Sequence, residues 1–357
     1  MLLRRKIDYV LIILAAIFLG FLVQTNSYLI KPGDVEDLGC LIEIEGHRRD
    51  EPGRFYMLTV SQHPANLWNF LYGYMHPAYD VRSLTQTIPS DMTREEYNDL
   101  MQCWMQDSKD LAGVIAFRRA GYEVPITSEG VEVVELLPKS PAEGLLRPGD
   151  IITAIEGKEV YLAEEVVAHI QQKKIGEKVK IGFRQEGEKK ETEIPTVSHI
   201  DEPHLGALRL YVRTLNWEPL FPMKIEIETG PVIGPSAGMM FVLEILDRLL
   251  PENLTGGYRI GGTGTISLDE KVGAIGGIRQ KVITAEKAGL DYFLVPAENY
   301  EEALQAASNI KVVSVNNLEE ALSFLKTLNA PSKEVEQMQK PQALSFLFLS
   351  RVTSSFL

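Results

Sequence analysis

Two side chains in this 357-residue sequence could cooperate to open an amide bond: a serine among small residues and a lysine on an apolar helical face. The serine is Ser236, in the stretch IGPSAGMMF at residues 233 to 241. Pro235 is placed to open a helix at its first position, and the apolar run from Met239 to Leu250 continues it until Pro251. Ser236 is therefore expected in the first turn, where two readings compete. Serine is a favoured helix cap. It is also a nucleophile where the surroundings suit, and here no Glu follows at capping-box spacing while two glycines stand close by. Gly234 and Gly238 would let a substrate backbone approach, and first-turn N–H groups near Ala237 would face a developing oxyanion.

A serine hydroxyl needs a base. The string G-P-S-A-G also fits G-x-S-x-G, the nucleophile elbow whose histidine follows the serine in sequence. The last histidine here is His204, which precedes Ser236, so that arrangement fails on order. Lysine remains. In GAIGGIRQKVITAEKAGL a helix is predicted to start after Gly276-Gly277 and to end at Gly289, with Ile278, Ala285 and Ala288 on its apolar face. Lys281 shares that face. Lysine is seldom buried without a reason, and burial near a helix start would lower its pKa from ~10.4 toward ~7, leaving a neutral fraction able to take a proton. The competing reading is a lysine that snorkels to solvent.

Composition bounds what else the chain could do. A formal net charge of -13 without a basic stripe argues against nucleic acid as a partner. Cys40 and Cys103 are too few for a disulfide framework and are read as buried or free thiols. The histidines at 47, 63, 76, 169, 199 and 204 include no pair at helical ligand spacing, and no Walker-type phosphate loop occurs, so neither a metal nor any cofactor is expected.

The elements that must position Ser236 and Lys281 start behind an unusual amino terminus. After Arg4, Arg5 and Lys6 comes YVLIILAAIFLGFLV, residues 9 to 23, short for a bilayer span but followed by no Ala-x-Ala cleavage signal. An uncleaved single-pass anchor is preferred to a signal peptide, with the N-terminus cytoplasmic and the remainder outside the cytosol. Residues 28 to 92 read as strands. Thr93 and Glu96 form a capping box opening a long helix that closes at Gly121, with Tyr97, Leu100, Trp104, Leu111 and Ile115 expected as its buried stripe.

Within residues 125 to 198, SPAEGLLRPGDIITAIEGKEV resembles PDZ domains, through Ser140-Pro141-Ala142, Leu146, Gly149-Asp150, Ile152 and the Gly157 turn. The resemblance implies peptide or protein binding by strand addition. The groove is expected between residues 130 to 137 and a helix at 162 to 172, where His169 is either a peptide contact or an ordinary core or solvated histidine.

GPSAG followed by GGTGTISLDEKVGAIGGIRQK resembles the proteolytic domain of Lon-type serine proteases over roughly residues 203 to 327. That resemblance implies a Ser-Lys dyad of Ser236 and Lys281, with Thr263 orienting the lysine and Gly234, Pro235, Ala237 and Gly238 shaping the oxyanion site. Ile233 departs from the Asp that many Lon proteases carry there. The ATPase module of Lon has no counterpart in the sequence, so cleavage without ATP is expected. Anchor, PDZ-like unit and Lon-like domain in this order resemble the bacterial YlbL-like group of PDZ-containing Lon-like proteases, with its pheromone-processing SepM type.

The implied fold is an α/β (α+β) Lon-type domain with a mainly β PDZ domain and one N-terminal transmembrane helix. The expected organisation is 1–27 stub and anchor, 28–124 membrane-proximal strands and long helix packed on the protease domain, 125–198 PDZ, 199–328 Lon-like domain, and 329–357 disordered tail. The expected protein is a serine endopeptidase at the bacterial cell membrane, its catalytic domain extracytoplasmic, cleaving exported peptides or membrane-near proteins; a homo-oligomer is compatible with the resemblance. The alternative is a catalytically silent PDZ-based tether.

Overall fold

The computed structural model describes residues 11, 14, 15, 17–47, 52–88, 92–199 and 204–328. The expected tail 329–357 and residues 9, 10, 12, 13 and 16 of the amino-terminal apolar run lie outside these residues. Among the described residues no helix is long and apolar enough to cross a membrane.

From the amino terminus, the chain forms strands β1 (Gln24–Asp37), β2 (Ile42–Ile44) and β3 (Arg54–Asn66), helix α1 (Leu67–Met75), strand β4 (Asp80–Ser83) and the long helix α2 (Arg94–Arg119). The Thr93–Glu96 capping box is formed, with the Thr93 hydroxyl oxygen accepting from Glu96 N and Glu96 accepting from Thr93 N. The buried stripe of α2 differs from expectation. Ile115 is buried as expected, but Trp104 is 45% exposed, and Met105, Ser108 and Ala112 turn inward instead.

A second unit follows: β5 (Gly130–Leu136), β6 (Ile151–Ile155), helix α3 (Ala163–Gln171), β7 (Lys178–Gln185), β8 (Glu188–Pro195) and β9 (Leu210–Leu215). Its sheet runs β8-β7-β6-β5-β9 around a core of Val131, Val133, Ile152, Val179, Ile181 and Phe183. The joining segments run side by side, Ile126–Thr127 pairing with Glu218–Pro219.

The chain then forms β10 (Ile225–Ile227), paired to β2, and helix α4 (Gly238–Leu249). Next come β11 (Arg259–Gly262), the short pair β12 (Thr265–Ile266) and β13 (Val272–Gly273), and helix α5 (Ile278–Lys287). Strand β14 (Tyr292–Pro296), helix α6 (Tyr300–Ala306), β15 (Lys311–Val315) and α7 (Leu318–Leu328) complete it.

One six-stranded sheet, ordered β15-β14-β11-β3-β1-β4, gathers strands from both ends of the chain. β3, β11, β14 and β15 are parallel, and β1 and β4 add antiparallel. Alternation along β3 sets the layers: Phe55 and Met57 join the core containing α2 and α4, whereas Tyr56 and Leu58 pack with α5. Helix α4, just beyond Ser236, and helix α5, which carries Lys281, therefore cover opposite faces of the sheet. They can meet only past a strand end.

Candidate active site

That strand end belongs to β11. Its chain turns at Thr263, 1% exposed, whose N–H donates to Leu294 O (3.0 Å) on the neighbouring strand. Gly264 N–H donates to Ser236 O (2.8 Å), and Met239 N–H donates to Gly264 O (3.1 Å), stitching the Ser236 loop to the strand.

Ser236 lies just ahead of the helix rather than in its first turn. Helix α4 begins at Gly238 with Ala237 as its cap residue, and no side chain caps it. The cause is local. Gly234 takes φ +94°, a left-handed conformation that suits glycine, and Gly238 N–H donates back to Pro235 O (3.3 Å), so Pro235 turns the chain instead of opening the helix. Gly238 answers a different need. A Cβ there would lie 2.8 Å from Ser108 Oγ and 2.9 Å from Ile266 Cγ2.

Helix α2 clamps this loop from outside, as the sequence did not suggest. Met101 O accepts from Gly234 N–H (3.0 Å), and Ser108 Oγ donates to Pro235 O (3.2 Å). The available signal was a serine in phase with Met105, Ala112 and Ile115 on one helical face. With Gly234, Gly238 and Met239 N–H groups engaged, the N–H groups of Ser236 and Ala237 carry no hydrogen bond among the described residues.

Lys281 enters from the other face of the sheet. Its N–H donates to Gly277 O (3.1 Å) in the opening turn of α5, and its side chain is buried, the residue being 2% exposed. Nζ lies 2.8 Å from Ser236 Oγ and 2.8 Å from Thr263 Oγ1. Thr263 Oγ1 lies 2.9 Å from Ser236 O. These contacts fix the proton directions. A carbonyl oxygen only accepts, so the Thr263 hydroxyl donates to it and takes an N–H from Lys281. Burial holds the Lys281 amine down at about 7, and among the described residues no carboxylate is close enough to offset it. In the neutral amine the remaining lone pair is free for the Ser236 proton. Gly234, Pro235, Ser236, Ala237, Gly238, Thr263 and Lys281 thus come together at one place.

Other sequence candidates fall elsewhere. His169 Nδ1 lies 2.7 Å from Glu165 O within its own helix. Cys40 and Cys103 are free and exposed. Glu244, buried on α4 and paired with Arg248 at 2.8 Å, is pushed up to about 7 by burial against the pull of that guanidinium. It lines a cleft of about 640 Å³ toward the far end of α4, away from Ser236. A smaller cleft, about 190 Å³, opens beside the Ser236 loop between Met105 and Lys109 of α2 and Val232 and Ile233.

The expected peptide groove is displaced. Strand β5 is not an edge: β6 pairs on one side, and β9 pairs on the other from Leu210↔Leu136 to Leu215↔Gly130. Leu208, Leu210 and Val212 supply apolar side chains to the same core, which is why a segment beyond the PDZ-like stretch joins its sheet. The outer edge is β9, and α3 lies against it through Ala163 N–H donating to Thr214 Oγ1 (2.9 Å).

Comparison with known proteins gives two family matches. Residues 223–327 match the Lon protease (S16) C-terminal proteolytic domain, and residues 105–196 match the PDZ domain. The Lon protease of Mycoplasma mobile is 30% identical over 114 residues, covering 31% of this chain and 13% of that protein. The Lon protease of Helicobacter pylori is 35% identical over 103 residues, covering 28% of this chain and 12% of that protein. The chain thus spans about an eighth of the length of these curated relatives. Among solved structures, the PDZ domain of an SdrC-like protein from Listeria monocytogenes is 28% identical, covering 24% of this chain and 90% of that one with a TM-score of 0.23. The chain therefore carries a Lon-type serine protease domain together with a PDZ domain.

Proposed function

We propose that this protein is a serine endopeptidase in which Ser236 is the nucleophile and Lys281 the general base. One observation carries the reading: a buried amine with no ion-pair partner among the described residues, 2.8 Å from a half-buried serine hydroxyl. In acylation, Ser236 Oγ bonds to the substrate carbonyl carbon as its proton passes to Lys281 Nζ. The N–H groups of Ser236 and Ala237 hold the oxyanion. Collapse breaks the carbon–nitrogen bond, and Lys281 returns its proton to the leaving amine. Water then opens the acyl-enzyme, its proton passing through Lys281 to Ser236. Thr263 positions the amine throughout.

These steps balance with water alone and consume no nucleotide, so the reaction is read as independent of ATP. A substrate side chain fits the cleft between Met105 and Val232, and an extended peptide adds to the free edge of β9. The apolar run 9 to 23 is read as an anchor that places the catalytic domain outside the cytosol, so exported or membrane-near polypeptides are the substrates. Ser236→Ala and Lys281→Met, each tested as the full chain on an unfolded protein substrate, should abolish cleavage while peptide binding persists. Equal cleavage by parent and variants would place the catalytic groups elsewhere, and no cleavage by the parent would leave a tethering protein.

A further inference from the structure

We propose that helix α1 is a second membrane contact, lying in the lipid headgroup interface beside the amino-terminal apolar segment. The inference rests on the anchor reading of that segment.

The geometry begins with the β1–β3 ladder, whose last pair is Gln24↔Asn66. Residues 17–22 are helical and precede that pair, and α1 follows it, so both helices leave the same end of the hairpin. They touch directly. Leu67 N–H donates to Val23 O (3.0 Å), and the Trp68 indole N–H donates to Ile17 O (2.8 Å). A Cβ on Gly20 would lie 2.2 Å from Trp68 Nε1, so glycine makes room for the indole. Wherever Val23 sits relative to a bilayer, α1 is one hydrogen bond away.

The surface of α1 has the chemistry of that depth. It contains no charged residue, in the sequence LWNFLYGYM. One side rests on the sheet through Gly73, where a Cβ would lie 2.4 Å from Val81 Cγ2 and 2.6 Å from Leu29 Cδ1. The other side shows Leu67, Leu71, Tyr74 and Met75 to solvent at helical spacing, with Met75 82% exposed. Phe18, Leu19 and Leu22 of the preceding helix are exposed as well, extending the apolar surface. Tyr72, His76 and Tyr79 pack on one another in edge-on and tilted contacts with centroids 4.3 to 5.5 Å apart, a set of rings with polar tips of the kind enriched at membrane–water interfaces. A short uncharged helix held against an anchor by backbone and indole hydrogen bonds would seat the catalytic domain at the lipid surface instead of on a free tether.

Spin labels test this in the full chain reconstituted in phosphatidylcholine–phosphatidylglycerol vesicles, with Cys40→Ser and Cys103→Ser as background. Labels are placed by Leu14→Cys, Leu71→Cys and Met75→Cys, with Glu188→Cys at the exposed start of β8 as the aqueous reference. Labels at 71 and 75 should lose collisions with an aqueous nickel complex and gain collisions with oxygen relative to 188. If 71 and 75 behave like 188, the proposal is overturned, whether or not the label at 14 reports lipid. If 71 and 75 report lipid while 14 does not, the interfacial helix stands and the anchor reading falls. Labels at 71 and 75 shielded from both reagents would mean a protein partner covers the face, and would also overturn it.

Discussion

Thr263 stands between Lys281 and the backbone of Ser236: its hydroxyl oxygen is 2.8 Å from Nζ and 2.9 Å from the serine carbonyl oxygen. It ties the two halves of the dyad across the end of β11. Removing the hydroxyl should leave the lysine buried but free to rotate. Thr263→Val is expected to lower kcat/KM about 10- to 100-fold, the equivalent of one or two buried hydrogen bonds. Thr263→Ser should restore most of it, because it keeps the hydroxyl; a merely structural role for the methyl group would reverse that order.

Lys281 is buried at the expense of stability. The unfolded chain keeps this proton to its ordinary 10.5, whereas the folded chain releases it at about 7. Parent stability should therefore rise with pH between those values, and the full penalty is present at pH 7 and below. Lys281→Met removes the penalty. The variant should be inactive yet more stable than the parent by ~1–4 kcal/mol near pH 7, with the gain shrinking toward pH 10. Denaturant unfolding at several pH values reads both, and a less stable variant at pH 7 would argue against an uncompensated amine.

Gly238→Ala tests the clamp of α2 on the nucleophile loop. The new methyl would meet Ser108 Oγ and Ile266 Cγ2 well inside contact distance. A loss of ~1–3 kcal/mol is expected, together with weaker activity. Adding Ser108→Ala should recover part of the stability, and thermal melts of the single and double variants would show it.

Peptide docking should protect β9, not β5. On adding a bound extended peptide to the Ser236→Ala protein, amide exchange should slow across Leu210–Leu215, whereas Gly130–Leu136, already paired with β9 and, at Val131 and Glu132, with β6 as well, should change little. Slowing confined to Gly130–Leu136 would return the groove to the strand expected from the sequence.

Much of the site was legible because its signals are local. The spacing of Ile278, Lys281 and Ala285 put the amine on an apolar face, and the order of residues excluded histidine. The capping box at Thr93 and Glu96 located the start of α2 by chemistry confined to one turn. What escaped is what the chain brings from afar. Ser108 meets Pro235 across 127 positions, a contact no periodicity encodes. Likewise β9 joins the PDZ sheet because Leu210 and Val212 fill its core, though the segment follows the PDZ pattern in sequence. The helix start was misplaced by two competing turn signals: Pro235 suits a first helical position, but the Gly234 conformation and the Gly238–Pro235 hydrogen bond delay the helix until residue 238.

The protonation state of Lys281 is the most direct test of the dyad. In protein labelled with 13C at lysine Cε, the resonance missing from Lys281→Met identifies this residue, and its titration can be followed beside the pH dependence of kcat/KM. Both should share a midpoint near 7, with activity rising as the proton leaves. A titration near 10.5 while cleavage is already maximal at pH 7 would contradict a neutral lysine acting on Ser236.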